Sequence, residues 1–310
     1  MNMPRAQALS PAGISSFFEI CDRDKRGRLI EDPLRIGAHG GGFVISKGVN
    51  AKVEVKEAET SRISVYINGK LAPEAKTTET VVKKILSRAK GTYEVRVEHN
   101  VQVPIGAGYG ASGAGALAAG LALNEALALR LTYNEVGRIA HVAEVECKTG
   151  LGTVAPLMLG GAVVTIKSGG PGLCLIDRIP LKPNYRIVSG CFGPIATKTV
   201  LASPKVRRRV NRFGRRTLNE ILEDTSIQNF MASCKNFAAN VGLMSSRVRR
   251  LIDAMERAGA IGATQNMVGE AAHALVEEDR VEKVVEAAGR LMSSKKIYIA
   301  SIDLTGARLI

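Results

Sequence analysis

The sequence predicts an α+β protein of two domains with a cleft between them, on three observations. Strand-like and helix-like segments are mixed in both halves of the chain. At 310 residues it is long enough for one large domain or two ordinary ones. Its character changes near residue 183, where mixed segments give way to mainly helical ones, so the expected domains are 1–183 and 184–310. Clefts between such domains are common places for ligands.

The elements follow in order. Ala51 to Lys56 and Arg62 to Ile67 alternate as strands do, and Asn68-Gly69 turns the chain after the second. Val81, Val82, Ile85 and Leu86 carry helical spacing within Thr78 to Ala89, and Thr92 to Val97 returns to strand. Helices are expected at Ser112 to Leu129 and Asn134 to Cys147, then strands at Ala162 to Lys167 and Cys174 to Ile179 around the turn-rich Ser168-Gly169-Gly170-Pro171-Gly172. In the second half a short strand, Arg186 to Ser189, leads into Cys191-Phe192-Gly193-Pro194, and helical segments run to about Arg257. A charged helix from Asp279 to Ser293 and a strand from Lys296 to Ile302 close the chain. Ser10 to Phe18 and Gly37 to Gly42 read as loops that either turn or bring backbone close to a ligand.

Composition narrows the function classes. With 45% hydrophobic residues the chain is globular rather than disordered. Its five cysteines are odd in number and never form a Cys-x-x-Cys pair, which argues for free thiols and against a disulfide framework or zinc site. The N-terminus has no apolar run of signal-peptide length, so a cytoplasmic location is expected. The net charge of +14 favours anionic partners, and its densest run is Lys205 to Arg216. With 4% aromatics and no tryptophan, that run reads as a solvated basic helix face ahead of a nucleic-acid groove. Steering of an anionic substrate is compatible with it.

The most informative stretch is Val103-Pro104-Ile105-Gly106-Ala107-Gly108-Tyr109-Gly110-Ala111-Ser112-Gly113-Ala114. A strand runs towards a proline, glycines alternate with small residues, and an Ala/Leu-rich helix follows. Glycines let the backbone approach a ligand closely, and a helix N-terminus presents unpaired N–H groups at its positive end. That is the chemistry of a phosphate cradle, and no Gly-Lys-Ser/Thr closes it as in a Walker A loop. Two other readings compete. No residue from Val103 to Leu123 is charged, as in a membrane span, but strongly apolar residues are sparse there. A Gly/Ala packing seam explains Ala114 to Ala119 but not the glycines before the helix.

On the next helix, His141, Glu144 and Lys148 lie three and four residues apart on one face. A carboxylate facing a phosphate loop that carries Ser112 suits magnesium, which takes hard oxygen ligands. On spacing alone, a solvated face with an ordinary Glu144–Lys148 pair, and a packed or capping His141, stand ahead of that reading. Lys148 to Pro156 is either a helix-ending turn or a substrate-side loop.

Pro104 to Ala114 resembles the Pro-x-x-x-Gly-Leu-Gly-Ser-Ser-Ala phosphate loop of the GHMP kinases. Ser10-Pro11-Ala12-Gly13 sits where that superfamily has its first motif, and Ala258 to Ala263 looks like its third. Ala140 to Glu146, Thr149-Gly150-Leu151-Gly152, Gly193 to Lys198 and Gly259 to Glu270 extend the likeness over nearly the whole chain, towards the archaeal branch that phosphorylates pantoate. The resemblance implies a two-domain fold with a mixed α/β N-terminal domain and a ferredoxin-like C-terminal domain. It implies ATP-dependent phosphorylation of the primary hydroxyl of pantoate, with ATP and Mg2+ bound. Pro104, Gly106, Gly108, Gly110, Ala111, Ser112, Gly113 and Ala114 match the ATP-binding loop, Ser112 and Glu144 match metal and phosphate positions, His141 matches a substrate position, and Thr197 lies in the segment expected to line the substrate pocket. Many relatives are dimers, so a homodimer is the default. The rival acceptor is another small hydroxy acid such as a mevalonate derivative; the rival class is a basic nucleic-acid-binding protein.

Two departures stand out. Where some members carry an acidic residue after Gly-Leu-Gly this chain has Thr153, and where some have an arginine on the next strand it has Thr165. Thr153 is expected to orient the hydroxyl, since phosphoryl transfer relies mainly on positioning and charge stabilisation. Lys167, two residues beyond Thr165 on the same strand, is expected to share its face and is the candidate for the missing cation, with a solvated strand-end residue as the competing reading.

Overall fold

The computed structural model describes residues 4–195 and 203–310. Its backbone is an antiparallel hairpin of two long strands, β1 (Arg5–Cys21) and β2 (Gly37–Glu57). β3 (Arg62–Ile67), β4 (Lys70–Leu71) and β5 (Tyr93–Val101) extend the sheet on one side, in the order β1-β2-β5-β3-β4. β5 is antiparallel to β2 and parallel to β3, and helix α1 (Lys76–Leu86) lies between β4 and β5 in the chain. β6 (Ala162–Lys167) pairs with the far end of β2, and β7 (Leu175–Ile179) pairs with β6.

The runs read from sequence as loops, Ser10 to Phe18 and Gly37 to Gly42, are interior to β1 and β2. One glycine there, Gly41, answers to aromatic packing. A Cβ on Gly41 would stand 2.7 Å from Phe17 Cε1 and 3.1 Å from Phe230 Cε2, so the strand needs glycine for two rings to close over it.

Helix α2 (Ala111–Ala126) is buried without interruption from Gly113 to Leu123. It lies between the sheet and the helices α1 and α3 (Tyr133–Cys147), which explains a charge-free stretch without a membrane. Among the described residues no helix is long and apolar enough to cross a membrane. Thr132 and Glu135 form a reciprocal capping box that starts α3, and the short α4 (Val154–Leu159) follows it.

The second sheet is antiparallel in the order β11-β8-β10-β9, from β8 (Tyr185–Pro194), β9 (Gly262–Gln265), β10 (Gly269–Glu277) and β11 (Ile297–Ser301). Helices α5 (Pro204–Glu223), α6 (Ile227–Val241) and α7 (Ser246–Arg257) connect β8 to β9, and α8 (Val281–Gly289) connects β10 to β11. Strand order 4-1-3-2 with helical crossovers is the ferredoxin-like arrangement. β8 is longer at its C-terminal end than its sequence predicts, and the last helix is shorter, preceded by a 3-10 turn at Glu278–Arg280.

The chain changes sheet between Ile179 and Tyr185, and on this we keep the proposed division near residue 183. The final strand β12 (Arg308–Leu309) returns to pair with β1. One apolar core joins the two segments: Phe43 and Phe230 meet edge-on at 5.5 Å, and Phe17 meets Phe230 and Phe237 at 6.3 and 6.2 Å. The basic run lies on α5, where Arg207 pairs with Asp22, Arg215 with Glu19 and Arg216 with Glu220. Arg207 is half-buried by its pair while Arg215 and Arg216 stay exposed, and Val210, Gly214, Thr217, Leu218 and Ile221 form the buried stripe.

Candidate active site

The loop after β5 is a backbone cradle. Gly106, Gly108 and Gly110 take φ of +76°, +80° and +62°, a region closed to most side chains. At Gly108 close approach adds to this: a Cβ would stand 3.0 Å from Asn266 Cβ and 3.2 Å from the Met267 carbonyl carbon. On its other flank the loop meets β1, where the Gly13 N–H donates to the Tyr109 carbonyl at 3.1 Å. Tyr109 is buried, and its hydroxyl bonds Ser189 at 2.6 Å, which pins the loop to the second sheet. Pro104 is half-buried and Gly106 exposed, so the loop's tip faces solvent.

Gly110 caps α2 in the left-handed conformation, with no side-chain cap and no acidic residue in the first turn. The N–H groups of Ala111, Ser112 and Gly113 therefore have no acceptor within the helix and stand at its positive end, an arrangement suited to an anion, with Ala114 closing the first turn onto the Gly110 carbonyl at 3.0 Å.

Glu144 projects from α3 towards that turn and is 2% exposed. Gly113 leaves it room, since a Cβ there would stand 2.7 Å from Oε2. The Thr149 hydroxyl donates to its Oε1 at 3.0 Å, Thr149 and Thr77 hydroxyls lie 3.0 Å apart, and Ser112 donates to Thr77 at 3.1 Å. Among the described residues no basic side chain pairs with Glu144, and the expected partner Lys148 is instead the left-handed C-cap of α3. Burial pushes the Glu144 carboxyl up to about 7, against the hydrogen bonds from Ser112 and Thr149. A buried, cation-poor carboxylate beside hydroxyl oxygens fits a hard divalent cation such as magnesium. Thr77 and Thr149 complete this set and escaped the sequence reading, because nothing in a helix's first turn or a glycine-rich turn marks such a contact.

Thr153 stands at the start of α4, half-buried, with its methyl towards the loop: a Cβ on Gly110 would lie 2.7 Å from Thr153 Cγ2. His141, one turn before Glu144, is 1% exposed, and its Nε2 bonds the Ile36 carbonyl at 2.9 Å. Burial lowers its pKa, so the ring is neutral and holds the strand entering β2. Thr197 lies outside the described residues.

Thr165 is buried and pairs with Gly40 of β2. Lys167 departs from expectation. A bulge at Ile166 sets Thr165 against Ile176 but Lys167 against Leu175, so two steps on β6 match one step on β7. Adjacent residues of β7 face opposite ways, so Lys167 points away from the face that carries Thr165 and is exposed. Its charge therefore does not stand on the face where the arginine was expected. Lys167→Met is accordingly expected to leave acceptor saturation within about twofold of wild type, and a large rise in acceptor KM would contradict the register.

The third glycine segment divides. Ala258 to Ile261 form the turn from α7 into β9, whereas Asn266 to Gly269 are what touch the phosphate loop. Ser16 and His273 Nε2 lie 2.9 Å apart, and His273 Nδ1 and Asn266 Oδ1 2.8 Å. Burial pushes His273 down to about 3, so the neutral ring donates from Nδ1 and accepts at Nε2. This polar chain spans both sheets beneath the loop. Sequence reasoning missed it because Ser16 and His273 lie 257 residues apart in the chain.

Residues 76–161, which hold the loop and Glu144, match the family model of the GHMP kinase N-terminal domain. The pantoate kinase of Methanocaldococcus jannaschii is 30% identical over 276 residues, 88% of this chain and 93% of that protein. That of Thermococcus kodakarensis is 31% identical over 280 residues, 89% of each. A solved structure described as a phosphotransferase related to the CoA biosynthesis pathway superposes with a TM-score of 0.87 at 28% identity, covering 99% of this chain and 98% of that one. The homoserine kinase of Cytophaga hutchinsonii, at 16% identity and a TM-score of 0.71, shares the fold, covering 99% of this chain and 98% of that one. The chain belongs to the pantoate kinase family of the GHMP kinases.

Proposed function

We propose that this protein transfers the γ-phosphoryl group of ATP to the primary hydroxyl of pantoate, giving 4-phosphopantoate for coenzyme A synthesis. The observation that carries the reading is the uncapped N-terminus of α2 and its positive-φ glycines, set beside the buried Glu144 in a chain of this family. Pro104 to Ala114 would hold the ATP phosphates, and Ser112 and Glu144 would hold Mg2+. The cation supplies charge neutralisation on the transferring phosphates.

The chain's own residues position the reactants. The first-turn N–H groups of α2 stabilise charge on the phosphoryl oxygens without reorganising, because the helix is buried on all sides. The Thr77–Thr149 pair orients Ser112 and Glu144 from behind. Thr153, whose methyl meets the loop, has its hydroxyl left for the acceptor, and a loose transition state needs no carboxylate base. Thr165 and Thr197 would line the acceptor pocket, and His141 would shape it by holding Ile36.

The threonines at 153 and 165 favour one alternative, the same chemistry on another small hydroxy acid. An ATP-consumption assay against pantoate, mevalonate, mevalonate phosphates and homoserine separates the two. Turnover with pantoate alone supports the reading; turnover with a mevalonate derivative and none with pantoate replaces it.

A further inference from the structure

Glu19 and His39 face each other directly across β1 and β2, so their side chains share one side of the sheet, and Cys21 joins them two residues further on. Gly40, the next residue of β2, pairs with Thr165, which puts the cluster on the opposite face from Thr165. Glu19 is 3% exposed, and Cys21 and His39 are half-buried.

The three side chains converge on one point. Glu19 Oε2 lies 2.9 Å and Cys21 Sγ 3.6 Å from the same ring nitrogen, His39 Nδ1. A proton relay through imidazole needs its two partners on opposite nitrogens. Here both crowd Nδ1, which carries at most one proton, whereas a cation can serve three lone pairs at once. All three ligand atoms lie within 4.8 Å of one another. Zinc bonds of about 2.0–2.3 Å in a tetrahedron separate N from O by about 3.4 Å and S from N by about 3.6 Å. The two distances to Nδ1, 2.9 and 3.6 Å, are within about half an ångström of those values. Arg215 donates to the other Glu19 oxygen, Oε1, from Nε at 3.1 Å, so it orients the carboxylate and leaves Oε2 to the His39 side. Gly214 brings α5 this close, since a Cβ there would stand 3.0 Å from the Glu19 nitrogen.

We propose that Glu19 Oε2, Cys21 Sγ and His39 Nδ1 bind one zinc-class divalent cation, with a fourth position open to water. Binding releases the thiol proton, and any proton on Nδ1, to solvent. Turned away from the face of Thr165, the site acts as a clasp that ties the β1–β2 hairpin to α5 through Arg215. The absence of Cys-x-x-Cys pairs does not exclude it, because its ligands come from strand alternation and antiparallel register rather than one short motif.

The test titrates metal-stripped full-length protein with Co2+, then with Zn2+. One equivalent of Co2+ should produce the sulfur-to-cobalt charge-transfer absorption of a thiolate site, and one equivalent of Zn2+ should remove it. Cys21→Ser should abolish that absorption, and His39→Ala should weaken Zn2+ binding by at least about tenfold. Turnover of Cys21→Ser should stay close to wild type. In the wild-type protein, stoichiometric Zn2+ should slow alkylation of Cys21 at least about tenfold, a readout that requires no variant to fold. No charge-transfer band at one equivalent, a band that persists in Cys21→Ser, or alkylation of Cys21 indifferent to Zn2+ would each overturn the site.

Discussion

Glu144→Gln is expected to lower turnover at saturating ATP by at least about tenfold, or about 1.4 kcal/mol of barrier. The amide keeps the size of the side chain and can still accept from the Thr149 hydroxyl, so the network with Thr77 and Ser112 survives. What it loses is the charge that would hold the cation. Stability should move the other way. Burial raises the Glu144 carboxyl to about 7, so in metal-free buffer its ionisation increasingly opposes folding as the pH rises from the ordinary carboxylate range towards 7. The neutral variant should therefore melt at the same temperature as wild type or higher at neutral pH, while its turnover falls. Turnover curves over magnesium concentration and thermal melts of both proteins decide this. Full activity at every magnesium concentration would remove Glu144 from the metal site.

Gly108→Ala is expected to raise the KM for ATP by roughly 5- to 30-fold. Holding an alanine in the left-handed region costs about 1–2 kcal/mol, and at φ +80° the native backbone sits there. The new methyl would also press on Asn266 at 3.0 Å, beneath which the Ser16–His273–Asn266 chain leaves little give. The variant relieves this strain by moving the loop off its phosphate-binding conformation, so ATP saturation, not only stability, should register the change. A folded Gly108→Ala protein with wild-type ATP saturation would show that the loop does not cradle the nucleotide.

Much of the candidate site was legible before the structure. The alternation of glycine with small residues from Gly106 to Gly113 marks both a loop that needs positive φ and a helix start with no acidic residue. Glu144 could be singled out only through the family likeness, because helical spacing allowed an ordinary solvated pair with Lys148 equally well. The structure removes that alternative by burying Glu144 and placing Lys148 at the helix C-cap. The expected face of Lys167 fails for a specific reason: period-two alternation places residues on faces only while pairing is regular, and one extra residue at Ile166 reverses it, which favours the solvated strand-end reading.

The glycines of β1 and β2 misled for a related reason. Gly40 to Gly42 carry the signature of a turn, but the sheet uses Gly41 to admit the Phe17 and Phe230 rings and Gly40 and Gly42 to let the β1 backbone close in, accommodations between residues far apart in the chain. By itself the sequence determined the fold class, the glycine loop ahead of α2, α2 to α3 and the family, because these rest on local periodicity, backbone propensity and contiguous motifs. Only the tertiary structure decided which hydroxyls surround Glu144, where Lys167 points, which part of the third glycine segment meets the loop, and that Glu19, Cys21 and His39 converge. Each of these depends on strand register and on contacts between distant segments, and neither leaves a periodic trace in a single chain.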